Sequence, residues 1–305
     1  MEDFYKMVIS DRMHTFKKYL APAVAALSLV LGLAGPSAVF AATSPSLGTA
    51  ATYGVLSSTF THNGGLTTIT GDLGATTISG SGTMTVSGST VTPKPPQAGT
   101  DQGTALTALA SQPCTFTFPD TDIDLAADTT HGPIGVYTPG VYCTRSTRAA
   151  SIGTAGITLS GSGTYLFRID GALTTVANSH VTLSGASACD VFWTPTGATT
   201  LGANTTFSGT DIDDAGITVG STTAWTGRAL AFATTVTPDT DTITVPTCAV
   251  PPVPGQSGST GTLTVVKRVI NDNGGTKTIS DFQLFVDGNG RSSVVSGHSN
   301  NFPAS

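Results

Sequence analysis

Two acidic stretches of this chain have types and spacings that could do chemistry. "GTDIDDAG" (209–216) sets Asp211, Asp213 and Asp214 within four positions, the kind of carboxylate grouping that a β-helical lyase or glycosidase uses as acid and base. "PDTDIDLAAD" (119–128) places Asp120, Asp122 and Asp124 at alternate positions, as in a calcium loop. It lacks the glycine at position six and the glutamate at position twelve of such a loop and reads as solvated. Carboxylates beside Gly216 read as turn residues, and His62, His131, His180 and His298 are scattered, so no nucleophile, base and orienting group converge. The glycine clusters lack the strand–loop–helix context of a phosphate loop. These residues point away from an enzyme, and no cofactor or metal is expected.

The four cysteines, Cys114, Cys143, Cys189 and Cys248, have no zinc-type spacing. An even count in an exported chain suggests two disulfides, for which three pairings exist. Cys114–Cys143 with Cys189–Cys248 is the preferred one, because the second bond would tie the last strand of a Thr-rich region back to its body.

The most abundant chemistry is a hydroxyl beside a methyl. The 305 residues include 55 threonines and 36 glycines, only 10% are charged, and there are six lysines and one glutamate. Such a composition disfavours helix and favours short strands punctuated by turns. A net charge of −6 without a basic stripe gives nucleic acid little support as a partner, and none is expected.

These threonines fall in a repeat. Between 156 and 247 three kinds of strand recur in order, four times, at a period of mostly 18–20 residues, which is the signature of a strand solenoid. The first kind is "TYLFRI", "DVFWT", "TDID" and "ALAF"; the second is "ALTTV", "ATTL", "GITV" and "TTVT"; the third is "HVTLS", "TTFSG", "TAWTG" and "DTITV". Alternation predicts that Leu173, Leu201, Ile217 and Val236 point inward on one wall and Val181, Phe207, Trp225 and Ile243 on another. The outward set on the first wall is Thr174, Thr200, Thr218, Thr235 and Thr237. On the second it is Thr182, Ser184, Thr206, Ser208, Thr226, Thr242 and Thr244. Strands stacked at about 4.8 Å, with alternate residues about 6.7 Å apart, would form two flat grids of hydroxyls and methyls.

The flanks read differently. Lys17 and Lys18, an apolar run from Leu20 to Leu33 and small residues around Ala41–Ala42 predict a secretory signal peptide over 1–42, with Met13 an alternative start. A membrane anchor is the alternative for the same run, which is short and interrupted. Residues 53–88 share the solenoid vocabulary, and Ala/Leu content at 98–110 predicts one helix burying Ala105, Leu106, Leu109 and Ala110. "AVPPVPGQSGSTG" (249–261) is a Pro/Gly/Ser linker, and 262–305 reads as an incomplete β-sandwich-like repeat, with strand-like runs at 262–270 and 282–286.

Residues 47–74, 160–209 and 226–243 together resemble the ice-binding-protein-like family of microbial secreted proteins, the DUF3494 type. The resemblance covers roughly 47–248. It implies an all-β chain over 43–248: a right-handed, discontinuous, triangular β-solenoid with one α-helix packed alongside, whose N-terminal strands return to complete the stack; the partial β-sandwich after it resembles instead the prealbumin-like or Ig-like repeats of bacterial surface proteins. The ice-binding resemblance implies ice adsorption through one flat wall as a monomer, the partner being an ice crystal surface. The family's walls carry Thr-Ala/Gly-x-Thr strands; in the matching "AGIT" (215–218) and "ATTVT" (233–237), Ala215 and Ala233 replace the leading threonine while Thr218 and Thr237 are kept. The alternative is a cell-surface structural or adhesion module on the same scaffold, with the cell envelope or other surface proteins as partners.

Overall fold

The computed structural model describes residues 41–248, 274–276, 285–286 and 292–293. The predicted signal peptide to residue 40, the linker 249–261 and most of the C-terminal repeat lie outside the described residues.

Short strands separated by glycine and asparagine turns wind the chain into a parallel β-solenoid. The N-terminal part supplies β1 (Tyr53–Thr61), β2 (Leu66–Thr70), β3 (Asp72–Ser79), β4 (Thr83–Val86) and β5 (Thr90–Val91). Helix α1 (Pro96–Ala110) follows. The body then supplies β6 (Phe116–Thr117), β7 (Ile123–Asp124), β8 (Val136–Tyr137), β9 (Gly140–Cys143), β10 (Ala150–Ile152), β11 (Ile157–Ser160), β12 (Tyr165–Ile169) and β13 (Leu173–Thr175). It continues through β14 (Val181–Ser184), β15 (Val191–Pro195), β16 (Thr199–Leu201), β17 (Thr206–Ile212), β18 (Ile217–Val219), β19 (Ala224–Thr237) and β20 (Thr242–Thr244).

Pairing sorts these strands into three walls. Wall a stacks β6, β9, β12, β15, β17, β19, β1, β3 and β5, so the solenoid has nine rungs. Wall b stacks β7, β10, β13, β16, β18 and the later halves of β19, β1 and β3. Wall c stacks β8, β11 and β14, then the first halves of β17 and β19, then β20, β2 and β4. The predicted order of three strand kinds is therefore the order of three walls. The N-terminal strands do return: β1 sits between β19 and β3, with Val55 beside Ala229 and Phe60 beside Val236.

The interior is an apolar column. Tyr142, Phe167, Trp193, Phe207 and Trp225 follow one another at ring-centroid separations of 4.3–5.3 Å. Both indoles are satisfied at the bend between walls c and a, Trp193 Nε1 donating to Ser208 O and Trp225 Nε1 to Gly209 O, each at 2.9 Å. That bend needs glycine: Gly209 has φ +111°, and a Cβ there would lie 2.6 Å from Val191 and 2.8 Å from a carbonyl.

Wall a is closed by α1. Outward-facing Leu56, Val141, Leu166, Phe192, Ile212 and Leu230 form a second apolar cluster with Ala98, Ala105 and Leu109. Pro96 opens the helix, where a missing N–H leaves no intrahelical bond unmade. The helix begins two residues before its predicted start, and the face it lays on wall a is Ala98, Gln102, Ala105 and Leu109, spaced by four, three and four; Leu106 is half-buried and Ala110 is exposed, contrary to the sequence expectation.

Two disulfides, Cys114–Cys143 and Cys189–Cys248, have the preferred pairing. Among the described residues of the second unit, 249–305, the strands Phe285–Val286 and Ser292–Ser293 pair antiparallel.

Candidate functional site

With wall a covered, walls b and c are the free broad surfaces. On wall b the inward row is Ile123, Ala150, Leu173, Thr199, Ile217, Val236, Phe60 and Ile78. Leu201 also points inward, but it faces Val219; the slot expected for it in the Leu173–Ile217 row holds Thr199. The outward row one residue further runs Asp124, Ser151, Thr174, Thr200, Thr218 and Thr237. The Phe60–Val236 pair puts Thr61 over Thr237, and Thr61 pairs with Ser79, their hydroxyls 3.1 Å apart. Thr174, Thr200 and Thr218 are exposed, and Thr237 is half-buried. Thr235 belongs to a shorter second row with Thr59 and Thr77, present only on the upper rungs because the strands of the lower rungs are three residues long.

Wall c is wider on its upper five rungs. One row is Thr206, Ala224, Thr242, Thr68 and Thr85; the other is Ser208, Thr226, Thr244 and Thr70. Thr206, Thr226, Thr242, Thr70 and Thr85 are exposed, whereas Ser208 is buried. The lower part is a separate sheet of β8, β11 and β14, joined to β17 by a single His180–Thr206 bridge. Exposed Thr182 lies there, and exposed Ser184 pairs with Ser160, outside the upper two-row array.

The corner between walls b and c consumes the threonines that alternation alone would leave on a wall. Asn178, Asn204 and Thr222 stack there with φ of 63°, 57° and 62°. Behind them Thr205 and Thr223 are buried, their hydroxyls donating to Gly202 O and Gly220 O, each at 2.6 Å. At the next corner Asp241 takes the threonine's place and accepts from Thr223 N at 2.8 Å and Asp239 N at 2.7 Å. Burial raises its pKa to about 6 against those two donors.

The carboxylates singled out in the sequence are spread between the core, the turns and the surface. Asp211 and Asp213 are fully buried and Asp214 is exposed, its Oδ1 3.5 Å from Gln102 Nε2 on α1. Asp120 pairs with Arg148 at 2.9 Å, Asp122 accepts from Ala149 N, and Asp124 accepts from Ala126 N and Gly153 N. His131, which sequence reasoning left unassigned, is buried against Tyr137 at 4.0 Å between centroids and joins Asp128 at 2.5 Å, holding the loop at the base of the stack.

These features define a class: a rigid, charge-poor, three-sided parallel β-solenoid, one side sealed by a helix and two sides presenting ordered hydroxyl and methyl groups. The chain belongs to the ice-binding-like family, whose model matches residues 55–244. It is 35% identical over 127 residues to an ice-binding protein of Flavobacterium frigoris, covering 41% of this chain and 44% of that one. It is 34% identical over 113 residues to ice-binding protein 1 of Shewanella frigidimarina, covering 35% of this chain and 12% of that one. The chain thus spans less than half the length of either relative. Among solved structures, an ice-binding protein from an Antarctic biological consortium superimposes with a TM-score of 0.58 at 28% identity, covering 69% of this chain and 95% of that one. That of the Antarctic ascomycete Antarctomyces psychrotrophicus gives 0.58 at 28% identity, covering 68% and 100%.

Proposed function

We propose that this chain is a secreted, non-enzymatic protein that adsorbs to ice through wall b and thereby inhibits crystal growth or recrystallisation. The observation that carries this is the outward row Ser151, Thr174, Thr200, Thr218, Thr237, Thr61 and Ser79, hydroxyl-bearing on seven consecutive rungs. A parallel ladder fixes the row's spacing near 4.8 Å. β-Branched threonine is stiff at χ1, and the inward row is buried, so neither backbone nor side chain has far to move. Such a row can hold water in ordered positions, where freezing merges it with the lattice; mobile, strongly hydrated lysine and glutamate side chains would not, and wall b has none. The names and folds of the relatives support the same reading. Two disulfides fit an exported protein.

Wall c is a second reading, favoured by its two-row array on five rungs. Ice-affinity partition and thermal hysteresis of the intact chain test the function itself. Incorporation into growing ice with measurable hysteresis is expected at micromolar concentration. Absence of both would leave the adhesion alternative, for which binding of cells by the chain is the corresponding assay.

A further inference from the structure

Two polar residues interrupt the apolar rows of the interior, and they are neighbours. Thr199 stands among Leu173, Ile217 and Val236 on wall b. Asp211 stands between Trp193 and Ala229 on wall a. Both are completely buried; the Thr199 hydroxyl lies beside the Asp211 carboxyl, and neither group has a well-formed hydrogen bond to anything else. Asp213, two residues on and also fully buried, is richly bonded instead. Its Oδ2 accepts from Thr199 N at 2.8 Å, and its Oδ1 accepts from Ala215 N at 2.5 Å and Gly216 N at 3.0 Å.

We propose that Asp213 and Asp211 are positioning residues for wall b: the Asp213 carboxylate bolts the strands of Thr200 and Thr218 together from inside, and Asp211 stands behind them as a neutral carboxylic acid. Thr199 opens β16 and Gly216 immediately precedes β18, so the three N–H groups on Asp213 are those that start the two central strands of the wall. Thr200 and Thr218 follow them outward by one and two residues. Burial raises the Asp213 pKa, and the three converging donors oppose that rise by favouring an acceptor-only carboxylate.

Asp211 has the opposite surroundings. Its neighbours are Trp193 from β15, Thr199 from β16, Ala229 from β19 and Asp213 just past the end of its own strand. The nearby cation, Arg228 of β19, is turned outward to Ala51 O and Thr210. An unpaired carboxylate in that setting is far costlier than an acid. Burial first, and then the charge of Asp213, raise its pKa well above the usual range. As an acid it has a ready acceptor in the Thr199 hydroxyl beside it. A folded-state pKa above the unfolded one means that the associated stability is present at low pH and is lost as pH rises through the folded value.

The inference rests on wall b being the adsorbing surface, and the experiment separates the two. Amide hydrogen exchange and thermal hysteresis are measured on the intact chain and on the Asp213→Asn and Asp211→Asn variants. In Asp213→Asn, one amide N–H₂ must face a backbone donor. Exchange at Thr199, Thr200 and Ile217 is expected to quicken about tenfold relative to Thr226 and Ile243 on wall c, with a several-fold loss of hysteresis. Asp211→Asn keeps shape and neutrality and should match the parent at pH 5. Raising the pH should then loosen wall b in the parent only, as the carbon-13 carboxyl signal of Asp211 shifts. Unchanged exchange in Asp213→Asn, or an Asp211 carboxyl already ionised at pH 5, overturns the proposal; the carboxyl signal alone decides it should Asp213→Asn fail to fold. Quickened exchange with undiminished hysteresis would uphold the bolt and remove wall b as the adsorbing surface.

Discussion

Replacing Thr218 by tyrosine is the sharpest perturbation of the proposed surface. The hydroxyl row from Ser151 to Ser79 spans seven rungs, about 29 Å at a rung spacing of about 4.8 Å, and Thr218 is its midpoint. A ring projecting there lifts a flat partner off the row, leaving at most the three rungs on one side in contact after tilting. Going from seven rungs to three removes more than half of the favourable term while the orientational cost of docking stays. A loss of only about 1.4 kcal/mol in adsorption is a factor of ten, so hysteresis should fall by about tenfold or more. Thr218 is exposed, and an exposed substitution changes folding stability by about 0.5 kcal/mol or less; the melting temperature therefore serves as the internal control. Thr226→Tyr, also exposed but on wall c, is the matched comparison. Full hysteresis in Thr218→Tyr with loss in Thr226→Tyr would refute wall b and establish wall c; full activity in both would refute both walls.

Other perturbations test the frame behind the walls. Asp241, held at about pKa 6 by burial, gives a stability contribution present below the unfolded value near 4 and lost as pH rises through 6, on the order of 3 kcal/mol; Asp241→Asn should flatten that limb of the Tm–pH curve. Trp225→Ala, at the end of the aromatic column, should cost about 3–5 kcal/mol and be seen as a lowered denaturation midpoint. Removing Cys189–Cys248, which closes 59 residues, should cost up to about 4 kcal/mol by loop entropy, measured by comparing Tm of the double serine variant with the parent.

The repeat was legible because period-two alternation survives in each short strand: Phe207, Trp225 and Ile243 sit inward and in register as alternation requires. The outward threonines Thr174, Thr200 and Thr218 were legible for the same reason. Thr235 and Thr237 lie two residues apart on one strand and so occupy two rows of the same wall, of which only the Thr237 row continues onto the short strands below. Alternation does not separate wall threonines from those turned inward at corners, such as Thr205 and Thr223, which are defined by backbone turns with positive φ rather than by periodicity. Asp213 is the turn residue that its sequence suggested, accepting from Ala215 N and Gly216 N, whereas Asp211 belongs to the strand "TDID". Only the register places Asp211 in the row of Trp193 and Ala229.

The return of the N-terminal strands has a kinetic meaning. Arg228 donates to Ala51 O across 177 positions of sequence, and β1 finds β19 only after nearly the whole body exists. Simple repeat arrays can nucleate in any unit and grow outward. Here β1 and β2 can pair at once with β3 and β4, but their other edges wait for β19 and β20, which are made last. Closure of that long loop is the slow, entropically costly event, and until it happens β19 and β20 present bare edges to any other strand. The early segment therefore works as a self-supplied stopper, and a nascent molecule lacking it would be expected to recruit a neighbour's strand instead.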